Sequence, residues 1–370
     1  MRKRLLFALL LGLLSVPLMS VQACGGLFCQ NVPVDQQAER IIFTINNDDT
    51  ITAYVQIAYT GAAPDFSWVV PVPSVPEIDV AEIESFDELS LLTAPVFIPP
   101  MMPSCAPMPV MAMAGENAFM EDEGSVEVLA SGAAGPYFYD VITSPDPQAM
   151  ISWLRDNDYR VEPEMEPLIA VYNEEGMVFL AMKLQPDEGA DDIQPVVMTY
   201  ESTEPMIPLR LTAVAANPNM TVLTWIFAEE QAVPVNYAHP VIYDGDIRGS
   251  FGSFDGTNYI GLLDQTIDLY DGRAFVTEYA MPTSDLRDQK PQDTLIQLLA
   301  EKYKYVTRVI GRISPEEMTV DPMFTLDADA PDISNVHDFS EIDAEVFWQC
   351  ADAPFPEPKF DESVVPEGFE

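Results

Sequence analysis

Two runs of alternating side chains, at 39–46 and 51–60, do most to limit what this chain can fold into. Ile41, Phe43 and Ile45 fall on one side of the first run. Ile51, Ala53, Val55, Ile57 and Tyr59 fall on one side of the second, against Thr52, Tyr54, Gln56 and Thr60. A repeat of two gathers side chains on one face of an extended strand and scatters them around a helix. Asn46-Asn47-Asp48-Asp49 between the runs is turn chemistry, because short Asx side chains bond their own backbone and accept left-handed dihedrals. The pair reads as a β-hairpin with one buried face.

The rest of the chain extends that theme. Residues 66–70 read as a strand, and Pro71, Pro73 and Pro76 place the next stretch at an edge or in a loop. Further strands are expected at 177–184, paired with the segment before the Asn173-Glu174-Glu175-Gly176 turn, and at 195–201. Residues 206–215 and 221–228 read as a hairpin around Asn217-Pro218-Asn219, with later strands at 274–280 and 305–313. Helical spacing appears at Ile83, Phe86 and Leu89, and at Met150, Trp153 and Leu154 behind a Ser144-Pro145 start and before an Asn157 stop. It recurs at Ile260, Leu263 and Ile267, closed by Gly272, and at Leu295, Leu298 and Leu299 after Pro291. The expectation is an α+β, sheet-dominated fold with largely antiparallel sheets and three or four short helices. Regular βαβ alternation, which a doubly wound sheet or a TIM barrel needs, is missing.

The N-terminus carries an address. Arg2, Lys3 and Arg4 precede an apolar run at 5–16, Pro17 breaks it, and Val21 and Ala23 place small residues at −3 and −1 of a cleavage site. This is the pattern of a secretory signal peptide at 1–23, too short to span a bilayer comfortably. The mature chain is expected outside the cytoplasmic membrane, secreted or envelope-associated, with no transmembrane helix. Cleavage leaves Cys24 first, either as a disulfide partner or as the seat of a lipid anchor. Four cysteines (Cys24, Cys29, Cys105, Cys350) in an oxidising compartment suggest two disulfides. Of the three pairings, Cys24–Cys29 with Cys105–Cys350 is favoured, and lipidation of Cys24 would leave one cysteine odd.

Charge excludes several functions. Asp and Glu number 60 against 17 Lys and Arg, a net charge of -43. Such a chain lacks the cationic face that releases counterions from nucleic acid, and anionic headgroups repel it. A hydrophobic share of 48% separates it from disordered acidic polymers. The acidity also suits solubility or salt adaptation without any ligand. By composition the mature chain divides into a β-rich segment (24–97), a Met- and Pro-rich loop or linker (98–124), an α+β domain (125–312) and an acidic, partly ordered C-terminal segment (313–370). Residues 286–312 carry six basic side chains, so the acidic segment is expected to fold back onto them.

Few motifs carry chemistry. No Gly-x-Ser-x-Gly elbow or phosphate-binding glycine loop is present, and the only histidines are His239 and His337. With 60 acidic residues, no single carboxylate pair is informative for glycosidase chemistry. Calcium is the more physical cofactor: Asp244, Asp246 and Asp255 flank a glycine-rich stretch, and carboxylates on a tight loop suit a hard cation. Asp187, Glu188, Asp191 and Asp192 form a second cluster. Neither has EF-hand spacing, and solvated turns on an acidic surface compete with both. Met101, Met102, Met108, Met111 and Met113 around Cys105 are soft ligands suited to Cu(I), against the plainer reading of a loosely packed loop.

Several stretches together carry a resemblance. Ala23-Cys24-Gly25-Gly26-Leu27-Phe28-Cys29, Ala38-Glu39-Arg40-Ile41-Ile42-Phe43, Tyr54-Val55-Gln56-Ile57-Ala58-Tyr59 and Phe66-Ser67-Trp68-Val69-Val70-Pro71-Val72-Pro73 come first. Trp153-Leu154-Arg155-Asp156-Asn157 and Ser314-Pro315-Glu316-Glu317-Met318-Thr319-Val320-Asp321-Pro322 come later. In this order they resemble the bacterial exported family called domain of unknown function 2330, from the leader to about Phe324. The resemblance implies an exported envelope protein with no assigned activity, so no catalytic residue carries over. Some members carry a hydrophobic C-terminal anchor, where this chain has an acidic tail. The expected function is a non-enzymatic binding or structural module of the cell envelope, its partners unknown. A calcium-binding exported protein and a secreted hydrolase using paired carboxylates are the alternatives.

Overall fold

The computed structural model describes residues 35–60, 66–103, 127–186, 188, 192–250, 253, 256–349 and 355–369. Fifteen strands and eight α-helices lie among them. A seven-stranded sheet runs in the order β12 (Val276–Pro282), β13 (Tyr305–Ile313), β10 (Ala216–Ala228), β1 (Asp35–Ile45), β2 (Thr50–Thr60), β9 (Val196–Glu201), β4 (Glu77–Val80). A four-stranded sheet runs β3 (Ser67–Val72), β8 (Val178–Leu184), β7 (Tyr137–Thr143), β6 (Glu127–Ala134). Two short pairs complete the set: β11 (Gln231–Pro234) with β14 (Phe324–Asp327), and β5 (Val96–Ile98) with β15 (Val336–Asp338). Pairing is antiparallel except at β1·β10 and β5·β15.

The period of two decides the layering. From β1, Ile41 and Phe43 face the four-stranded sheet, with Ile51, Ala53 and Val55 from β2 beside them. They meet Trp68, Val70, Leu180 and Met182 from the other sheet in the inter-sheet core. The opposite side of the large sheet carries Ile42, Leu223, Trp225, Phe227 and Ile310. Helices cover it: α1 (Ile83–Thr93) with Phe86 and Leu89, α5 (Tyr259–Asp268) with Leu262 and Leu263, α6 (Thr283–Gln289) with Leu286, and α7 (Thr294–Lys302) with Ile296 and Leu299. The outer side of the four-stranded sheet carries Val69, Ile142, Phe179 and Ala181. It is covered by α2 (Pro147–Asp156) and α3 (Glu166–Glu174). The order is therefore helix, sheet, sheet, helix. Full burial of a side chain such as Trp225 contributes about 2–3 kcal/mol.

The expected hairpin forms at β1–β2 around the Asn46–Thr50 turn, with Ile41 opposite Val55 and Phe43 opposite Ala53. The sheet-dominated α+β class stands, but four expectations need correction. Helices exceed the expected three or four, because α3, α6 and the short α4 (Leu209–Thr212) and α8 (Ala344–Phe347) occupy segments not read as helical. The segment before Gly176 is helix α3 and not a strand: Pro167 starts it, and Ile169 and Tyr172, three apart, bury one face. Residues 206–215 do not pair with 221–228, since Pro208 breaks them and α4 sends Leu209 and Leu211 into different cores. Helix α2 begins one Pro step later than expected. Asp146 caps it by accepting from Gln148 N–H at 3.0 Å, while Ser144 bonds Asp146.

The acidic C-terminal segment does fold back, though its grip is not the basic stretch. Strands β14 and β15 pair into sheets, Phe339 and Phe347 enter the helix-covered core, and Val364, Val365 and Phe369 pack near Tyr270. Arg308, Arg312 and Lys304 instead pair with Glu278, Asp264 and Glu229. No helix among the described residues is long and apolar enough to cross a membrane.

Candidate functional site

The two histidines, 98 positions apart in the chain, line one cavity of about 530 Å³. β11 brings Gln231 and Val233, β12 brings Val276, Thr277 and Glu278, and α5 brings Tyr259. β14 adds Asp327, the chain after it adds Asp329 and Ile333, and β15 adds His337. No lysine or arginine is in the wall among the described residues.

A bulge aims Glu278. The β12·β13 register slips between Thr277 and Tyr279, leaving Glu278 as the extra residue. Its Oε1 accepts from the Tyr259 hydroxyl at 3.0 Å and its Oε2 from Arg308 Nε at 2.7 Å. Arg308 continues inward to Ser90 O at 3.2 Å and Thr93 Oγ1 at 3.3 Å, and Trp225 Nε1 donates to the same Thr93 oxygen at 2.8 Å. The ion pair is almost fully buried and anchors the cavity floor to α1 and the helix-covered core.

His239 Nε2 and Thr277 Oγ1 meet at 2.7 Å. Burial pushes the imidazole pKa down, and nearby Asp327 opposes that only in part, so the ring stays neutral at neutral pH. His337 stacks on Phe97 with centroids 5.2 Å apart, and its Nδ1 meets Asp244 Oδ1 at 2.6 Å. Gln231 is the feature that composition could not flag. It is 3% exposed, and its Oε1 has no partner among the described residues.

Two of the expected calcium residues, Asp244 and Asp246, are among the described residues. Asp244-Gly245-Asp246 forms one 3₁₀ turn, with Asp244 turned to His337 and Asp246 lining an adjoining cavity of about 470 Å³ behind Pro240–Ile242. Asp255 lies outside the described residues, as do Asp187, Asp191, Met108, Met111, Met113 and all four cysteines. Glu188 and Asp192 border a shallow hollow beside Gly135 and Pro136. Met101 and Met102 are exposed. Among the described residues, no three His, Cys, Asp or Glu side chains gather to hold a metal.

The 314–322 stretch has a structural task. Ser314 opens a capping box with Glu317. Asp321 clasps the far layer, accepting from Tyr172 Oη at 2.8 Å, from Arg210 N at 3.0 Å and from Arg210 Nε at 2.8 Å. The Arg210 guanidinium lies over the Tyr172 ring at 4.3 Å and also grips Glu175, which raises its pKa against the pull of burial. The 38–43 and 66–73 stretches meet across the inter-sheet core, where Glu39, Ile41, Trp68 and Val70 line one slot.

No curated protein and no solved structure is significantly similar to this chain. The model of one family matches residues 19–325, which take in both large sheets, the helices that cover their outer faces and the Glu278 floor of the cavity. On that match the chain belongs to the family described as uncharacterized protein conserved in bacteria (DUF2330).

Proposed function

We propose that this chain is an extracytoplasmic, non-enzymatic binding module that takes a small, donor-rich ligand into the two-histidine cavity. The leader at 1–23 supports the address. Gln231 carries the binding reading: a buried amide oxygen without a donor costs about 1–3 kcal/mol, which a ligand N–H or O–H would recover. The wall agrees, since Glu278, Asp327, Asp329 and neutral His239 all accept hydrogen bonds, beside apolar Val233, Val276 and Ile333. The groups suited to catalysis are committed elsewhere. Glu278 is held by Arg308 and Tyr259, and no carboxylate orients the His239 ring among the described residues.

The test is a thermal-shift panel of small polyols, amino acids and amines on the mature protein, repeated on Gln231→Met. At least one donor-rich compound is expected to stabilise the protein, with the response lost in the variant. A panel without any response removes the reading. The mass of the mature N-terminus tests the address: a chain that retains Met1 would refute export.

A further inference from the structure

A second site lies between the two large sheets and shares no lining residue with the two-histidine cavity. Glu39 points inward from β1 on the same side as Ile41 and Phe43. It is 5% exposed, and its Oε2 has no hydrogen-bond partner among the described residues. Arg40, the next residue, turns the other way to Asp87 at 2.8 Å and gives Glu39 no counter-charge. The slot before the carboxyl holds about 30 Å³. That is room for one group the size of a water molecule or an ammonium head. Its wall grades from exposed Pro73 and half-buried Met206 and Pro208 at the rim to buried Trp68 and Tyr200.

A carboxyl in this place is unsatisfied in either protonation state. Ionised, it lacks donors and an opposite charge; protonated, its hydroxyl lacks an acceptor. An alkylammonium head supplies the charge and three donors in one small group. The ring faces of Trp68 and Tyr200 are of the kind that cations favour, and the Pro and Met rim suits an apolar stem. We propose that the Glu39 slot binds a primary ammonium group carried on a slender apolar stem, with Glu39 as its counter-ion. Tyr200 is the sole other titratable group in the wall among the described residues, so the charge of Glu39 alone governs the site.

The probe is n-butylamine, titrated into the mature full chain at about pH 8 while the Trp68 indole N–H is followed by NMR. Butylamine is expected to shift that resonance saturably. Glu39→Gln, which keeps the shape of the protonated side chain, should weaken the response by about tenfold or more. Lowering the pH below about 5.5 should do the same, because the proton then occupies the carboxylate. Met206→Trp leaves Glu39 intact, narrows the rim and should also abolish the response. n-Butanol, which lacks the charge, and tetramethylammonium, which is too wide, should leave the resonance in place. An unmoved Trp68 signal with butylamine, an equal response in Glu39→Gln, or an equal response to n-butanol overturns the proposal. Each of these results leaves the two-histidine cavity and its Gln231 test untouched.

Discussion

Glu39 should write a specific pH signature on the stability of the whole protein. Burial in the inter-sheet core pushes its carboxyl from 4.5 up to about 7, while in the unfolded chain the group returns to its ordinary value. At low pH both states hold the proton and the site is silent. Between 4.5 and about 7 only the folded chain keeps it. The unfolded chain gains by ionising there, and stability falls as pH rises. Above that window the folded chain carries the buried charge, and the loss levels off. The gap corresponds to about 3 kcal/mol, a large share of the roughly 5–15 kcal/mol that holds a typical domain. Glu39→Gln fixes the side chain in a neutral shape of similar size and polar demand. Urea unfolding of both proteins across this pH range gives a difference curve in which every other titrating group cancels. The two should match at low pH, and the variant should be more stable by about 3 kcal/mol at about pH 8. A difference curve that stays flat across the window refutes the claim that Glu39 is buried without a counter-charge.

The other predictions concern the two-histidine cavity. Glu278→Gln leaves Arg308 buried without an anion and should cost about 3–5 kcal/mol in urea unfolding, whereas replacing both partners by methionine should recover most of that loss. If the double variant is no better than the single one, the ion pair is not what the floor depends on. Calcium would have to displace His337 from Asp244, so titration calorimetry of the mature protein should show no heat. A heat that Asp246→Asn removes would instate a calcium site in that turn.

How much the sequence could reveal depends on the range of each interaction. The β1–β2 hairpin was legible because its period and its turn are local. The same parity holds a clue to Glu39, which shares the face of Ile41 and Phe43 and is therefore an acid inside a buried stripe. Glu278 has a similar signature, an acid among Val276, Ala280 and other buried residues, but the bulge that aims it depends on β13 and leaves no local mark. Helix α3 is not legible as a helix from periodicity because its apolar residues also fit a strand, and Pro167 in its first turn is the distinguishing signal. The parallel pairing of β1 with β10 joins segments about 180 positions apart, as in Ile41 with Thr224, and nothing in either segment announces the other. Gln231 could not be found at all from composition, because only the tertiary fold buries its amide oxygen without a donor.

The division of labour within the cavity tracks the point where the family match ends. Residues up to 325 supply the bulge with Glu278, the Thr277–His239 contact and buried Gln231, which together make a floor anchored to the sheet. Asp327, Asp329, Ile333 and His337 come after that boundary, and they make the opposite wall. That wall is held by β14 on β11 and by β15 on β5, short pairs at the margin of the core, where opening is less costly than at the central strands. Floor and wall therefore differ in rigidity as well as in origin. On the proposed binding reading, the floor sets which ligand atoms would be satisfied, through Gln231 and the Glu278 bulge. The C-terminal wall adds two exposed carboxylates and the His337–Asp244 contact. In a chain with a net charge of -43, the fold-back of the acidic C-terminal segment completes the cavity.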